Sequence, residues 1–250
     1  MHMRVATLVI PTLITFSLVL SPGAAAAQSS PQGRSWAEIA KLPDWSGYWM
    51  ITRESGDAAG AEASGNGVPL TPAYAKKEQA AIASNAQEPL TYCLPAGPIG
   101  AVEHGLVHQY LFTPGLITII MEDGEIRRIF TDGRGHLPLA QLQSRYMGDS
   151  IAHWEGDMLV VDTVGFPNGS LFQAGGLTAT INTHLVERIF KNKKGQLEID
   201  NVVTDPAIFT KPWKFTRTFQ PASIELGEPG CRTNLRDTGD SIDLTPPEGS

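Results

Sequence analysis

Three short stretches of this 250-residue chain set ionisable side chains where strands would begin or end. Asp132, Arg134 and His136 fall within one strand-exit segment. Imidazole titrates near neutral pH, so His136 suits a general base, with Asp132 to orient it and Arg134 to hold an anionic or carbonyl oxygen. The structural alternative is a turn in which Asp132 takes backbone amides and pairs with Arg134. Asp162 follows Met158, Leu159, Val160 and Val161. Strand alternation places it with Met158 and Val160, opposite Leu159 and Val161. Both faces are apolar, so Asp162 is either buried or at a rim. It is then a carboxyl of raised pKa fit for general-acid work, or the partner of Arg188 or Arg128. His184 and Glu187 offer a second base and acid, but on a regular strand they point to opposite sides. They share one pocket only across a bulge. Trp154 and Arg188 complete the candidate substrate contacts. His153, next to Trp154, is either its aromatic partner in a pocket or an exposed residue.

Other chemistries find little footing. There is no G-x-S-x-G nucleophile elbow. Gly148-Asp149-Ser150 is similar to the opening block of one esterase class, yet it lies mid-chain and that class needs a later D-x-x-H, whereas the last histidine here is His184. No glycine-rich phosphate loop joins a strand to a helix, so no nucleotide cofactor is expected. A metal is not expected either. His104 and His108 converge only on a helix, and His184-x-x-Glu187 is poor ligand spacing on a strand; with His136, these histidines are the ones a metal would have to use.

The elements that must position these groups are mainly β. Strand-like runs occupy 49–52, 107–113, 116–122, 125–131, 150–155, 158–164, 182–190, 196–204 and 213–219. Asp123-Gly124 between two of them predicts a two-residue type I′ hairpin. Such short connections imply antiparallel neighbours, and closing the meander removes its exposed edges. The expectation is a single up-and-down antiparallel barrel over 28–250, with a two-sheet sandwich as the other arrangement. One helix is expected from Thr71-Pro72 to about Ser84, a mobile Gly/Ala/Ser loop at 54–68 and a tail at 231–250.

Residues 1–27 read as a cleavable export signal: Arg4, an apolar run from Val5 to Leu20, then Ala25-Ala26-Ala27. Loss of Arg4 takes the net charge from −7 to −8. That balance excludes a domain-wide basic field for nucleic acid, and no later run is long enough to span a membrane. In an oxidising compartment Cys93 and Cys231 are the one pair that can bridge, closing a loop of about 139 residues for at most roughly 5 kcal/mol.

Several blocks along the chain carry a resemblance. They are Trp154-Glu-Gly-Asp157-Met-Leu-Val-Val-Asp162-Thr163, Trp45-Ser-Gly-x-Trp49, Leu70-Thr-Pro-x-Tyr74, Cys93-x-Pro-x-Gly-x-Pro98, Arg127 through Pro138, His184-x-x-Glu187-Arg188, and Asp205 through Trp213. Together they resemble a family of exported proteobacterial and acidobacterial proteins with a W-E-G-D-T-L-V-V-D-T signature and no assigned activity. The Gly47-x-Trp49 start of the first strand also looks like a lipocalin-type (calycin) barrel. Where that family has a histidine before the serine of its G-x-S-I block, this chain has Asp149. The expectation is an exported, cofactor-independent enzyme of isomerase, lyase, cyclase or dehydratase type. It would act on a small hydrophobic or aromatic molecule in the barrel. The alternative is a periplasmic protein that binds a hydrophobic small molecule and returns it unchanged.

Overall fold

A computed structural model describes residues 33–55, 67–83, 97–100, 107–168, 171–173 and 177–227. The signal segment, Cys93, Cys231, His104, the 231–250 tail and most of the 54–68 loop lie outside the described residues.

Nine strands close into a lipocalin-like barrel: β1 (Tyr48–Ile51), β2 (Val107–Thr113), β3 (Leu116–Met121), β4 (Ile126–Phe130), β5 (Asp149–Glu155), β6 (Met158–Val164), β9 (His184–Lys191), β10 (Leu197–Thr204) and β11 (Trp213–Ala222). A separate two-stranded sheet, β7 (Leu171–Gln173) and β8 (Leu177–Thr178), comes between β6 and β9 in the chain, while β6 and β9 pair directly in the barrel. Closure comes from β1, which pairs antiparallel with both β11 and β2.

One junction departs from the expected meander: β4 and β5 are parallel, through Ile129 opposite Ser150 and Phe130 opposite Ile151. The reason is parity. A ring of strictly antiparallel neighbours needs an even number of strands, so nine require one parallel contact. Residues 131–148 supply the long return that a parallel pair demands. They also carry His136 to the outside of the barrel wall.

The β3–β4 turn differs from expectation too. Met121 N–H donates to Glu125 O and Gly124 N–H to Met121 O, which closes a three-residue loop. Gly124 takes the left-handed φ of 85°, and Asp123 accepts the Glu125 amide at 2.9 Å. This is the turn-plus-bulge hairpin in place of the two-residue type.

Alternation decides what lies inside. Leu159, Val161 and Thr163 of β6, and Leu185, Glu187 and Ile189 of β9, are buried, while their neighbours are at least partly exposed apart from Val160. The interior is layered along the barrel. One apolar cluster contains Trp45, Trp49, Tyr110, Ile189, Leu197, Ile199 and Phe219. A second contains Tyr74, Phe166, Leu185, Val203 and Trp213. Glu187, Asn201 and Arg217 fall between them on their strands, and with Arg127, Ser150 and Thr163 they form a buried polar layer.

Helix α1 is a single turn (Trp36–Ile39) closed by a Ser35–Glu38 capping box. Helix α2 (Pro72–Ala83) starts where the Thr71-Pro72 signal put it. Thr71 Oγ1 accepts the Tyr74 amide at 3.3 Å and donates to Ala207 O at 3.0 Å, so the cap also ties the helix to the barrel. A four-residue turn, α3 (Gly97–Gly100), is wholly buried. Among the described residues no helix is long and apolar enough to cross a membrane.

Candidate active site on the outer wall

Outward-facing positions at the start of β5, the end of β6 and the start of β9 sit side by side. Register pairs Asp149 with Val164, Ile151 with Asp162, and Asp162 with Val186. Asp149, Asp162 and His184 therefore share one patch of outer wall, and the β4–β5 return lays His136 over it. His184 Nε2 lies 2.8 Å from Asp162 Oδ1. His136 Nε2 lies 3.1 Å from the same oxygen, and His136 Nδ1 lies 2.8 Å from Asp149 Oδ2. The result is a continuous row, Asp149–His136–Asp162–His184, with Asp162 shared between two imidazoles.

The electrostatics follow from that sharing. The His184 ring donating to Asp162 holds this carboxyl below the usual carboxylate range, more than burial raises it, with His136 adding to the effect. In return Asp162 raises the His184 pKa above the ordinary histidine value. Carboxylates only accept hydrogen bonds, so each His136 ring nitrogen faces an acceptor, Asp149 on one side and Asp162 on the other. Asp162 and His184 side chains are each 41% exposed, whereas His136 is 19% exposed. The outer end of the row is open to solvent.

Beside the row lies a groove of about 130 Å³ lined by Ile126, Arg128, Phe130, Arg145 and Met147 together with the Gly148-Asp149-Ser150 segment. Gly148 is required here. Its φ is +67°, and a Cβ would stand 2.5 Å from Thr163 Cγ2 and 2.9 Å from Val164 O. The chain passes so close to β6 that only glycine fits, and that approach sets Asp149 against His136.

The other expected site residues find different work. Asp132 does not orient His136; it grips Arg134, whose Nε lies 2.9 Å from Oδ1 and whose backbone N–H also reaches that oxygen. This pair lowers the Asp132 pKa. Arg134 stacks over the Phe130 ring at 3.8 Å, so the turn is structural, and a two-residue separation suits this pair better than Asp132 and a ring four residues away. Asp162 pairs with histidines, not with Arg188 or Arg128, and its pKa is lowered, not raised, because two imidazoles outweigh partial burial. Arg188 is exposed on the outer face of β9, two residues beyond the Val186 that faces Asp162. Trp154 points inward and packs against Trp45 at 5.4 Å and Phe112 at 6.1 Å. It is five residues along β5 from Asp149, roughly 16 Å in an extended strand. His153 is exposed, 3.1 Å from Glu155.

Glu187 lies inside, opposite to His184 as alternation requires. It forms a two-pronged pair with Arg127, Nη1 donating to Oε1 at 2.8 Å and Nη2 to Oε2. Arg127 Nη2 also reaches Thr163 and Ser150, which bond each other at 2.9 Å. His108 stacks on Phe219 at 5.0 Å, and burial lowers its pKa to about 4, with Arg127 adding to the effect. Burial and Glu187 raise that of Tyr110. The cavity these groups border is about 20 Å³, room for a water molecule and not for an organic ligand. Among the described residues no group of three or more His, Cys, Asp or Glu side chains is arranged to hold a metal ion.

Sequence reasoning overlooked Arg127, Arg145 and Met147 as participants, and treated Asp149 only as part of an esterase-like block and as a departure from a family pattern. The signal for Arg127 was present. In the doublet Arg127-Arg128 on a strand, one guanidinium must face inward and needs a buried carboxylate, and Glu187 is such a group. No protein-family model matches the chain, and a search of curated proteins gives no significant match.

Proposed function

We propose that this chain is an exported enzyme of isomerase, lyase, cyclase or dehydratase type that works by acid–base chemistry on the outer wall of its barrel. The observation that carries the reading is Asp162 Oδ1 lying within hydrogen-bond distance of both His136 and His184. Asp162 orients His184 through Nε2 and raises its pKa, which leaves Nδ1 as the ring position available to a substrate proton. Asp149 fixes His136 from the far side, so the row can supply a proton at one ring and receive one at the other. The substrate is a small, partly apolar molecule lodged in the groove of Ile126, Phe130 and Met147.

The export signal, the Cys93–Cys231 bridge and membership of the exported family with the W-E-G-D-T-L-V-V-D-T signature belong to this proposal. They fit an enzyme of the periplasm or the medium. The binder alternative asks for an apolar chamber inside the barrel. There Trp45, Trp49, Tyr110 and Phe219 fill one end, and the polar layer borders only about 20 Å³. The packing therefore supports the outer wall over the interior.

The test is to incubate the full chain, recovered from its exporting host, with a panel of small carboxylic acids, enones and hydroxy acids in D2O. Proton NMR then reads turnover and solvent-deuterium incorporation. The proposal expects a compound changed by the wild type and left unchanged by His184→Asn. Equal activity of the two proteins, or binding with no turnover or deuterium uptake, overturns it.

A further inference from the structure

The groove beside the histidine row carries a charge that the acid–base reading does not use. Arg128 projects from the outer face of β4 and Arg145 from the β4–β5 return, and both line the groove. Both are exposed, and neither guanidinium has a hydrogen-bond or ion-pair partner among the described residues. Their neighbour Arg134 is different, since it is neutralised by Asp132 and laid over Phe130. Asp149 also faces the groove, but its Oδ2 is engaged by His136 Nδ1. With two guanidinium cations and one carboxylate, the lining of the groove itself is net positive. Ile126, Phe130 and Met147 give the groove an apolar wall. Its roughly 130 Å³ is close to the cavity size of about 150 Å³ that holds a benzene ring in a protein interior.

We infer that the groove binds a small monocarboxylate, its carboxylate between Arg128 and Arg145 and its apolar body against Phe130 and Met147. Guanidinium groups match a planar carboxylate through paired N–H donors, and the apolar wall selects against a bare inorganic anion. A body held there lies beside Asp149, and so beside His136. The inference rests on the acid–base reading only in calling this carboxylate a substrate.

Benzoate is the probe, with benzyl alcohol as its neutral counterpart and inorganic phosphate as a competitor. Binding to the full chain is followed by calorimetry and by the Met147 methyl resonance. Benzoate is expected to bind at least tenfold more tightly than benzyl alcohol. The double variant Arg128→Gln, Arg145→Gln should remove that advantage while leaving benzyl alcohol binding and thermal unfolding unchanged. His184→Asn should leave benzoate binding intact, so a failure of the acid–base reading leaves this result standing. Equal affinity for the two probes, benzoate binding unaffected by the double variant, or phosphate displacing benzoate at equal concentration would overturn the inference.

Discussion

Replacing Glu187 by glutamine tests the assignment of this carboxylate to structure and not to catalysis. Arg127 and Glu187 side chains are each only 3% exposed, and the carboxylate takes two of the guanidinium's donors. Removing one partner of a buried pair strands the other charge, which typically costs about 3–5 kcal/mol. Thr163 Oγ1 at 3.0 Å and Ser150 Oγ at 3.3 Å still accept from Arg127, so the lower half of that range is expected. For a domain of this size 1 kcal/mol moves Tm by roughly 2–4 °C, which gives a fall of about 6–16 °C by circular dichroism at pH 7. The double replacement Arg127→Met, Glu187→Leu should recover most of the loss, because Ser150 and Thr163 then satisfy each other. A fall of less than about 3 °C in Glu187→Gln, or a double variant less stable than the single one, would show that Glu187 is not the buried counter-charge of Arg127.

Three further outcomes follow from the geometry. His108 is buried with its pKa lowered to about 4, so the native state takes up fewer protons than the unfolded chain between that value and about 6.5. Stability must therefore fall as pH drops through this window, by about 3 kcal/mol for this group, and the difference between wild type and His108→Gln in urea unfolding should show it. Gly148→Ala forces a side chain into Thr163 and into a left-handed backbone position; a loss of at least about 1–3 kcal/mol is expected, with disturbance of the Asp149 and His136 resonances. In Asp162→Asn the stability deficit should be largest near pH 5–6 and shrink toward pH 9. The raised His184 pKa contributes fully below about 6.5 and is lost as pH rises through its folded value, while the lowered Asp162 pKa contributes above about 3.9.

Most of the barrel was legible because alternation and turn chemistry are local. The β2 and β6 runs match the observed strands residue for residue, and the opposite facing of His184 and Glu187 followed from period two alone. The parallel β4–β5 contact was not legible, since it depends on how many strands close the ring and where the long return crosses. The site was half legible. His136, Asp162 and His184 were singled out by type, but their meeting depends on a cross-strand register and a crossover that no local pattern encodes. Asp132 lies nearest His136 among the acids in sequence, yet a two-residue turn favours its pairing with Arg134. Asp149 reaches the histidine only because Gly148 brings β5 against β6.

Asp162 joins His136 and His184 into one hydrogen-bonded row on the outer wall. This link is tested most directly by following the imidazole resonances of the full chain through pH, in the wild type and in Asp162→Asn. A shared Asp162 puts the His184 midpoint above the ordinary histidine value, and that midpoint should fall in the variant, with the His136 signals changing alongside it and those of exposed His153 unmoved. A His184 midpoint that is the same in both proteins would contradict the link.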